Sequence, residues 1–125
     1  VHVAEWATPS FQPFSRPTPM TTTKIDGVSV TTAANVYFDG KCVSHGITFP
    51  DGTKKSVGVI LPATLTFATS APEIMECVAG GCAYQLADSD AWIPSQAGER
   101  FNVPGNSSFE IKVEGEPYHY ICHFG

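Results

Sequence analysis

From residue 24 onward the chain shows no helical hydrophobic period of useful length, and this restricts its fold more than any other feature of the sequence. Short runs rich in Val, Ile, Phe, Tyr and Thr alternate with turn residues roughly every 8–12 positions, a spacing typical of all-β domains. The Pro50-Asp51-Gly52 and Gly80-Gly81 turns are hairpin signals, because glycine adopts a positive φ at little cost. Many short strands with regular turns predict a sandwich, a jelly roll or a barrel.

We predict one domain over residues 24–125, which is long enough to bury a core. Residues 1–23 differ from it, because four prolines exclude a helix or a central strand there. We interpret that segment as an extended Pro-rich N-terminal arm, or as a vector-derived tail. The predicted strands are Val36–Phe38, Lys41–Phe49, Lys54–Leu61, Thr64–Thr69, Ile74–Val78, Cys82–Leu86, Trp92–Ile93, Arg100–Val103, Ser108–Val113 and Tyr118–Phe124.

Charge and cysteine content narrow the functional class. The net charge is −5 without a basic run, so nucleic-acid binding is not expected, since it needs clustered Lys and Arg. No apolar run approaches the length of about 18 residues that a membrane span needs. The cysteines lie in or beside apolar runs without a CxxC pair, which favours reduced core residues and a cytoplasmic location, although a disulfide pair or a zinc site stays open. They are Cys42, Cys77, Cys82 and Cys122.

Two short sequence frames point to a particular kind of β-barrel. In FATSAPEIMECVAGG, Glu73 precedes a predicted strand that ends at Gly80. In GERFNVPGNSSFEI, a predicted strand ends at Pro104-Gly105. These frames resemble the two motifs of the cupin superfamily, in which a small jelly-roll β-barrel holds a metal at its mouth through three histidines and one glutamate.

The chain departs from the cupin motifs at every histidine position. Phe67 and Thr69 stand where the first motif has its HxH pair, and residues 106–108 stand where the third histidine belongs. Only Glu73 matches. One carboxylate cannot hold a catalytic metal, since such sites need about three protein ligands. The sequence therefore predicts a cupin barrel without the cupin metal.

A longer set of segments narrows the resemblance. NVYFDGKCVSHG, SVGVILPATLTFATSAPEIMECVAGG, AGERFNVPGNSSFEIKV and YHYICHF together resemble the small pyrimidine/purine nucleoside phosphorylase family with a cupin fold, over residues 35–124. The resemblance implies a pentosyltransferase that splits purine and pyrimidine nucleosides with inorganic phosphate, giving free base and (deoxy)ribose 1-phosphate. It also implies a homodimer that uses no metal and no cofactor.

Such a reaction needs an anion site, a group near the leaving base and contacts to the ribose hydroxyls, around an oxocarbenium-like sugar. Phosphate is usually held by Lys, Arg, hydroxyls and free backbone N–H groups. Lys41 and Arg100 are the candidate cations, each with the alternative of a solvated charge at a strand end. Phe67 and Thr69 share one face of a predicted strand, and by the cupin frame it is the inner one. Phe67 is then a candidate for base stacking and Thr69 for phosphate or ribose, or both simply fill the barrel.

The turn at residues 104–105 and the last strand supply the other candidates. Asn102 and Ser107 flank a turn that presents an anion nest of N–H groups, or is an ordinary polar turn. Tyr120 is a candidate substrate ligand on the face that it shares with Cys122. His123 is a candidate general acid, because imidazole titrates near neutrality, or a structural residue.

Glu73 is the last candidate of the sequence. As an inward-facing acid it would bond the ribose hydroxyls, or its charge would favour a sugar cation. Its alternative is a rim carboxylate that is satisfied by backbone N–H groups. Beside the enzyme, two other functions stay open: a non-catalytic cupin that binds a small sugar or nucleotide, and a metal-dependent oxygenase or isomerase, against which the missing histidines argue.

Overall fold

Two antiparallel β-sheets that pack against each other make up the computed structural model, which describes residues 24–125. The predicted N-terminal arm of residues 1–23 lies outside the described residues. A short 3-10 turn, Phe38–Gly40, separates the second strand from the third. The strands are β1 (Ser29–Val30), β2 (Asn35–Tyr37), β3 (Cys42–Thr48), β4 (Lys54–Ile60), β5 (Ala63–Ala68), β6 (Glu73–Ala79), β7 (Gly81–Leu86), β8 (Ile93–Gln96), β9 (Arg100–Val103), β10 (Ser108–Val113) and β11 (Tyr118–Phe124).

The chain passes repeatedly from one sheet to the other. The first sheet has the order β1-β3-β4-β11-β6-β9, with β2 also paired to β3, and the second has the order β5-β10-β7-β8. This alternation is typical of a jelly roll, and it confirms the predicted all-β class. Within residues 24–125 no strand pair hydrogen-bonds one sheet to the other. The fold is therefore a jelly-roll sandwich, more open than the closed barrel that the sequence suggested.

Each predicted strand is present, with ends that shift by a few residues. The structure adds β1, whose two residues are too few to show an alternating pattern in the sequence. Strand β8 continues through Pro94, although proline cannot donate to a sheet ladder. It is tolerated there because β8 is an edge strand that pairs only with β7.

Aromatic contacts join the two sheets across the core. Tyr84 of β7 stacks on Phe101 of β9, with the ring centroids 3.8 Å apart. Phe101 in turn packs edge-on against Phe109 of β10 at 5.8 Å. Such ring pairs contribute about 0.5–1.5 kcal/mol beyond the burial of their area. The largest fully buried side chains around them are Tyr118, Ile60, Ile111, Val103, Cys42 and Cys77.

The structure bears on two expectations from the sequence, the state of the cysteines and the lack of a membrane-spanning segment. All four cysteines are buried and free, which confirms the prediction of reduced core residues. Burial raises the pKa of Cys77 to about 11 and that of Cys82 to about 12, so both stay thiols at neutral pH. Among the described residues, no helix has the length and apolar character that crossing a membrane requires.

Candidate active site

A cavity of about 200 Å³ between the sheets brings three of the predicted site residues together. Phe67 lines it from β5, Glu73 from the start of β6, and Tyr120 from β11. Aromatic rings with a few convergent polar groups are the usual lining of a small-molecule site. The full lining is Tyr37, Ser44, Ser56, Ile60, Phe67, Ala68, Glu73, Met75, Phe109, Tyr120, Cys122 and Phe124.

The period of two along each strand explains which side chains reach this cavity. On β5, Phe67 is half-buried and Thr69, just past the strand, is buried, whereas Thr66 before them and Ala68 between them are exposed. On β11, Tyr120 and Cys122 both line the cavity. The inner face predicted for Phe67 and Thr69 is confirmed by their burial, and so is the shared face predicted for Tyr120 and Cys122.

The Glu73 carboxyl is only partly accessible to water. Burial raises the pKa of Glu73 above its ordinary value, and a hydrogen bond from the Cys122 thiol offsets part of that rise. The thiol also contacts Ser56, and burial beside Glu73 raises the pKa of Cys122 far above its usual range. A carboxyl, a thiol and a hydroxyl thus form one polar edge of the cavity, suited to the hydroxyl groups of a small ligand.

Tyr120 places its hydroxyl at a second polar edge of the cavity. The Oη atom lies 3.6 Å from the Cys42 Sγ atom, and it also interacts with Ser44. Burial raises the pKa of Tyr120 well above its usual range, so the group stays protonated. Gly58 makes room for it, because a Cβ atom at position 58 would lie 2.7 Å from Tyr120 Oη.

The Phe67 ring is already packed against other aromatic rings. Phe109 stacks on it with centroids 5.6 Å apart, and Phe38 and Tyr37 approach it nearly at right angles at 5.3 and 6.5 Å. Phe67 therefore lines the cavity as predicted, but much of its surface serves the aromatic packing. Base stacking on this ring stays a prediction.

Thr69 joins two loops that are far apart in the sequence. Its Oγ1 donates to the Pro104 carbonyl at 2.7 Å and accepts from the Ser107 N–H at 3.0 Å. The Asn106 N–H donates to the Ser70 carbonyl. These N–H groups are thus engaged within the protein and do not form the predicted anion nest. Substrate roles for the Thr69 and Ser107 hydroxyls stay predictions.

Three other predicted site residues lie on the outer face of the first sheet, namely His123, Arg100 and Asn102. Lys55 Nζ lies 2.7 Å from His123 Nδ1, and His123 Nε2 lies 2.8 Å from Glu76 Oε1. An ammonium group can only donate, so Nδ1 accepts and the Nε2–H donates to the carboxylate. Arg100 Nη2 lies 3.1 Å from the same oxygen, and Asn102 follows on the same face of β9.

The pairing of β6 with β11 explains why Glu73 and His123 do not meet in the cavity. Glu73 is paired with Phe124, and His123 with Ile74. The offset of one residue places the carboxyl and the imidazole on opposite faces of the sheet. With both ring nitrogens engaged outside, the general-acid role of His123 stays a prediction without support from this geometry.

Lys41 lies close in sequence to the cavity lining but is exposed. It follows the 3-10 turn that begins after Tyr37, and its N–H donates to the Phe38 carbonyl at 3.1 Å. Its side chain is solvated in this structure. The phosphate role of Lys41 stays a prediction.

Other depressions lie along the sheets, and two of them contain titratable side chains discussed above. One of about 490 Å³ lies at the edge of β9 and shares Glu73 and Phe124 with the cavity, so the two adjoin. Asn102 and His123 also line it. The other, of about 610 Å³, lies on the outer face and is lined mainly by Val and Ile side chains. Its His45 is bonded to a backbone carbonyl, and none of the predicted site residues except Tyr120 lines it.

Within residues 24–125, no group of three His, Cys, Asp or Glu side chains comes close enough to hold a metal ion. The positions of the cupin HxH pair carry a ring and a hydroxyl that are both engaged by the protein, as described above. Metal independence stays a prediction.

Sequence reasoning missed nine residues that line the cavity. For Tyr37, Ser44 and Ser56, the segments YFDG, KCVSHG and SVGV carried the available signal, an aromatic or hydroxyl side chain in an alternating pattern. The face that turns inward could not be assigned without the pairing of β3 and β4. The missed residues are Tyr37, Ser44, Ser56, Ile60, Ala68, Met75, Phe109, Cys122 and Phe124.

Comparison with known proteins gives one consistent family. Residues 32–124 match the family described as pyrimidine/purine nucleoside phosphorylase. A protein of that name from Paracidovorax citrulli is 77% identical over 106 residues, covering 85% of this chain and 100% of the relative. One from Polaromonas sp. is 77% identical over 108 residues, with the same coverage of 85% and 100%.

Solved structures agree with the fold. A crystal structure of a protein of unknown function from Acinetobacter sp. superposes with a TM-score of 0.81 at 46% identity, covering 83% of this chain and 100% of that chain. A mutant of oxalate decarboxylase from Bacillus subtilis superposes with a TM-score of 0.59 at 16% identity, covering 72% of this chain and 27% of that chain. The second likeness shows the fold alone, and together they confirm the predicted cupin-like jelly roll.

Replacing Gly58 with alanine should disturb the cavity. The new Cβ would meet Tyr120 Oη at 2.7 Å and the Val43 carbonyl at 2.8 Å, so we expect a loss of about 1–3 kcal/mol in the free energy of unfolding, measured with urea. Gly46→Ala in the neighbouring strand is the matched control, since its Cβ would meet nothing closer than 3.7 Å. Equal stability of the two variants would contradict this account of Gly58.

Burial of Glu73 predicts a pH dependence of stability. Because the folded-state pKa of Glu73 is raised, the folded protein binds the proton more tightly than the unfolded chain. The contribution to stability is complete below the ordinary value of 4.5 and is lost as pH rises through the raised value. The melting temperature of Glu73→Gln relative to the unmodified chain should therefore rise with pH above 4.5. A difference in melting temperature that stays constant with pH would contradict the raised pKa of Glu73.

Proposed function

Because the chain belongs to the pyrimidine/purine nucleoside phosphorylase family, we propose that it cleaves purine and pyrimidine nucleosides with inorganic phosphate. The products are the free base and (deoxy)ribose 1-phosphate. The observation that carries the proposal is the partly buried Glu73 carboxyl in a cavity lined by aromatic rings and hydroxyl groups. That combination offers partners for the sugar and a low-dielectric surrounding for its reaction.

Glu73 is the residue to which we assign the sugar. In phosphorolysis a phosphate oxygen forms a bond to C1′ while the C1′–N bond breaks, and the electron pair leaves with the base nitrogen, which takes up a proton. The sugar gains positive charge between these events. An ionised Glu73 would stabilise that charge more strongly in a partly buried site than in water. The Cys122 thiol orients the carboxyl from the polar edge, and the Ser56 hydroxyl in turn contacts that thiol.

The phosphate needs a cation near the cavity mouth. Of the predicted cations, Arg100 is engaged with Glu76 on the outer face, whereas Lys41 is solvated beside the turn that leads from the cavity lining. We therefore assign the phosphate contact to Lys41. A lysine there would also screen the repulsion between phosphate and Glu73, which two negative charges would otherwise feel.

The rival function is a cupin that binds a small sugar or nucleotide without chemistry. The same polar edges and aromatic lining would serve it, so only turnover distinguishes this binding function from the phosphorylase.

We also propose that the phosphorylase is a homodimer and that it is located in the cytoplasm. The molar mass of the purified chain by light scattering tests the first, and fractionation of the source cells tests the second.

Phosphorolysis is tested with the full chain and uridine or inosine, with and without phosphate. We expect release of free base together with ribose 1-phosphate, separated by chromatography, only when phosphate is present. Turnover of Glu73→Gln should fall at least about tenfold with the fold intact by circular dichroism, because the amide cannot stabilise the sugar cation. The reaction should also survive a chelator.

Glu110→Gln is the matched control for the loss of a carboxylate. Glu110 lies on β10, where its Oε2 accepts from the exposed Thr66 hydroxyl, away from the cavity lining. Its turnover should equal that of the unmodified chain. Base release without phosphate would identify a hydrolase, and no release from any nucleoside would favour the binding module.

A further inference from the structure

We propose that Tyr37, Phe38 and Phe124 form an aromatic rim that stacks on the nucleobase while the ribose enters the cavity. The inference rests on the proposed function, since it takes a nucleoside as the ligand. The sequence analysis assigned base stacking to Phe67, whereas this proposal assigns it to the three rings of the rim. Tyr37 and Phe124 line the cavity directly, and Phe38 packs on Phe67 behind it.

The three rings of the aromatic rim are unusually open to water. Their exposed fractions are 45% for Tyr37, 44% for Phe38 and 48% for Phe124. Large aromatic side chains normally bury most of their area, and a cluster that does not is a mark of a binding surface. The exposed Tyr37 and Phe124 rings line the same cavity as the Glu73 carboxyl, and the exposed Phe38 ring packs against Phe67 of that lining.

The backbone beneath the rim is held in a strained conformation. Phe38 and Asp39 have φ angles of 53° and 54°, in the left-handed region that residues with a side chain rarely adopt. The same turn ends at Gly40, which adopts 91° without strain. Strained backbone of this kind clusters at active sites and ligand clamps. Here it follows Tyr37, which lines the cavity, and places the exposed Phe38 ring against Phe67.

Phe67 is less suited than the rim to hold the base. One of its faces is stacked on Phe109, and two further rings approach it nearly at right angles. The rim rings carry the free aromatic area instead. Stacking of this kind does not distinguish bases, because every base has a π-face, and it therefore suits an enzyme that accepts purines and pyrimidines alike.

Cavity size and polarity set the orientation of the ligand. The volume of about 200 Å³ is below the ≈ 300–1,000 Å³ of typical small-molecule sites, so part of a nucleoside must stay at the mouth. The polar groups, Glu73, Tyr120 and the two serines, lie inside. The ribose with its hydroxyls fits the polar interior, and the flat apolar base fits the rim.

The test compares ligands with and without a base. Dissociation constants of uridine, inosine and ribose 1-phosphate are measured by calorimetry on the full chain, with phosphate absent from the nucleoside titrations. Tyr37→Leu, Phe38→Gly and Phe124→Leu should each weaken both nucleosides about tenfold or more, the usual effect of losing a stacked ring. Binding of ribose 1-phosphate should change by less than about twofold, because it has no base to stack.

Matched variants separate stacking from changes in the fold. Phe38→Gly removes a ring and relieves the strain at a positive φ, so folding should be retained. Asp39→Gly relieves strain without removing a ring, and Val36→Ala removes exposed apolar area beside the rim. Both should bind nucleosides as the unmodified chain does. Tyr37→Phe keeps the ring and should retain the affinity.

The experiments distinguish a failure of the rim proposal from a failure of the proposed phosphorolysis. Rim variants that release base and bind nucleosides normally would overturn the rim and leave the proposed function standing. An unmodified chain that binds nucleosides through the rim but releases no base would support the rim and contradict the phosphorylase. Equal weakening of ribose 1-phosphate, or no nucleoside binding by the unmodified chain, would overturn the rim.

Discussion

The pleat of the first sheet sends successive side chains to opposite faces, and most of the candidate site depends on that separation. On the outer face the Glu76 carboxylate is 6% exposed and is held by His123 and Arg100. On the inner face the Glu73 carboxyl has a thiol as its described neighbour. The Glu76 charge is compensated by its partners on the outer face, where these contacts link neighbouring strands. The Glu73 carboxyl is less compensated and lies beside the cavity, where it is available to a ligand.

Burial gives the interior its chemical character. It raises the pKa values of Glu73, Tyr120 and the core thiols, because an apolar surrounding disfavours their charged forms. The same surrounding would strengthen any interaction of an ionised Glu73 with a sugar cation. Gly58 contributes by leaving space, since the Tyr120 hydroxyl occupies the place that a Cβ atom would take. The cavity is thus polar at two edges and apolar elsewhere.

Three of the candidate residues named from the sequence line the cavity, and their substrate roles stay predictions. Phe67, Glu73 and Tyr120 line the cavity because their inward direction follows from the period of two within a single strand. The predicted anion nest was not found, because the Ser107 N–H is used by Thr69, and nothing local in either segment shows that these two meet. Tyr37 was part of a quoted motif, but its exposure at the mouth depends on the strained turn that follows it.

The sequence by itself determined the all-β class, the positions of the strands and which residues of one strand share a face. These properties follow from local periodicity and turn chemistry, which a single segment carries in full. Only the tertiary structure decided that Glu73 pairs with Phe124, that His123 turns outward, and that Tyr37 and Phe124 line the same cavity as Glu73. The reason is that register and sheet packing join segments far apart in the chain, and a shift of one residue in the register would exchange the two faces of a strand.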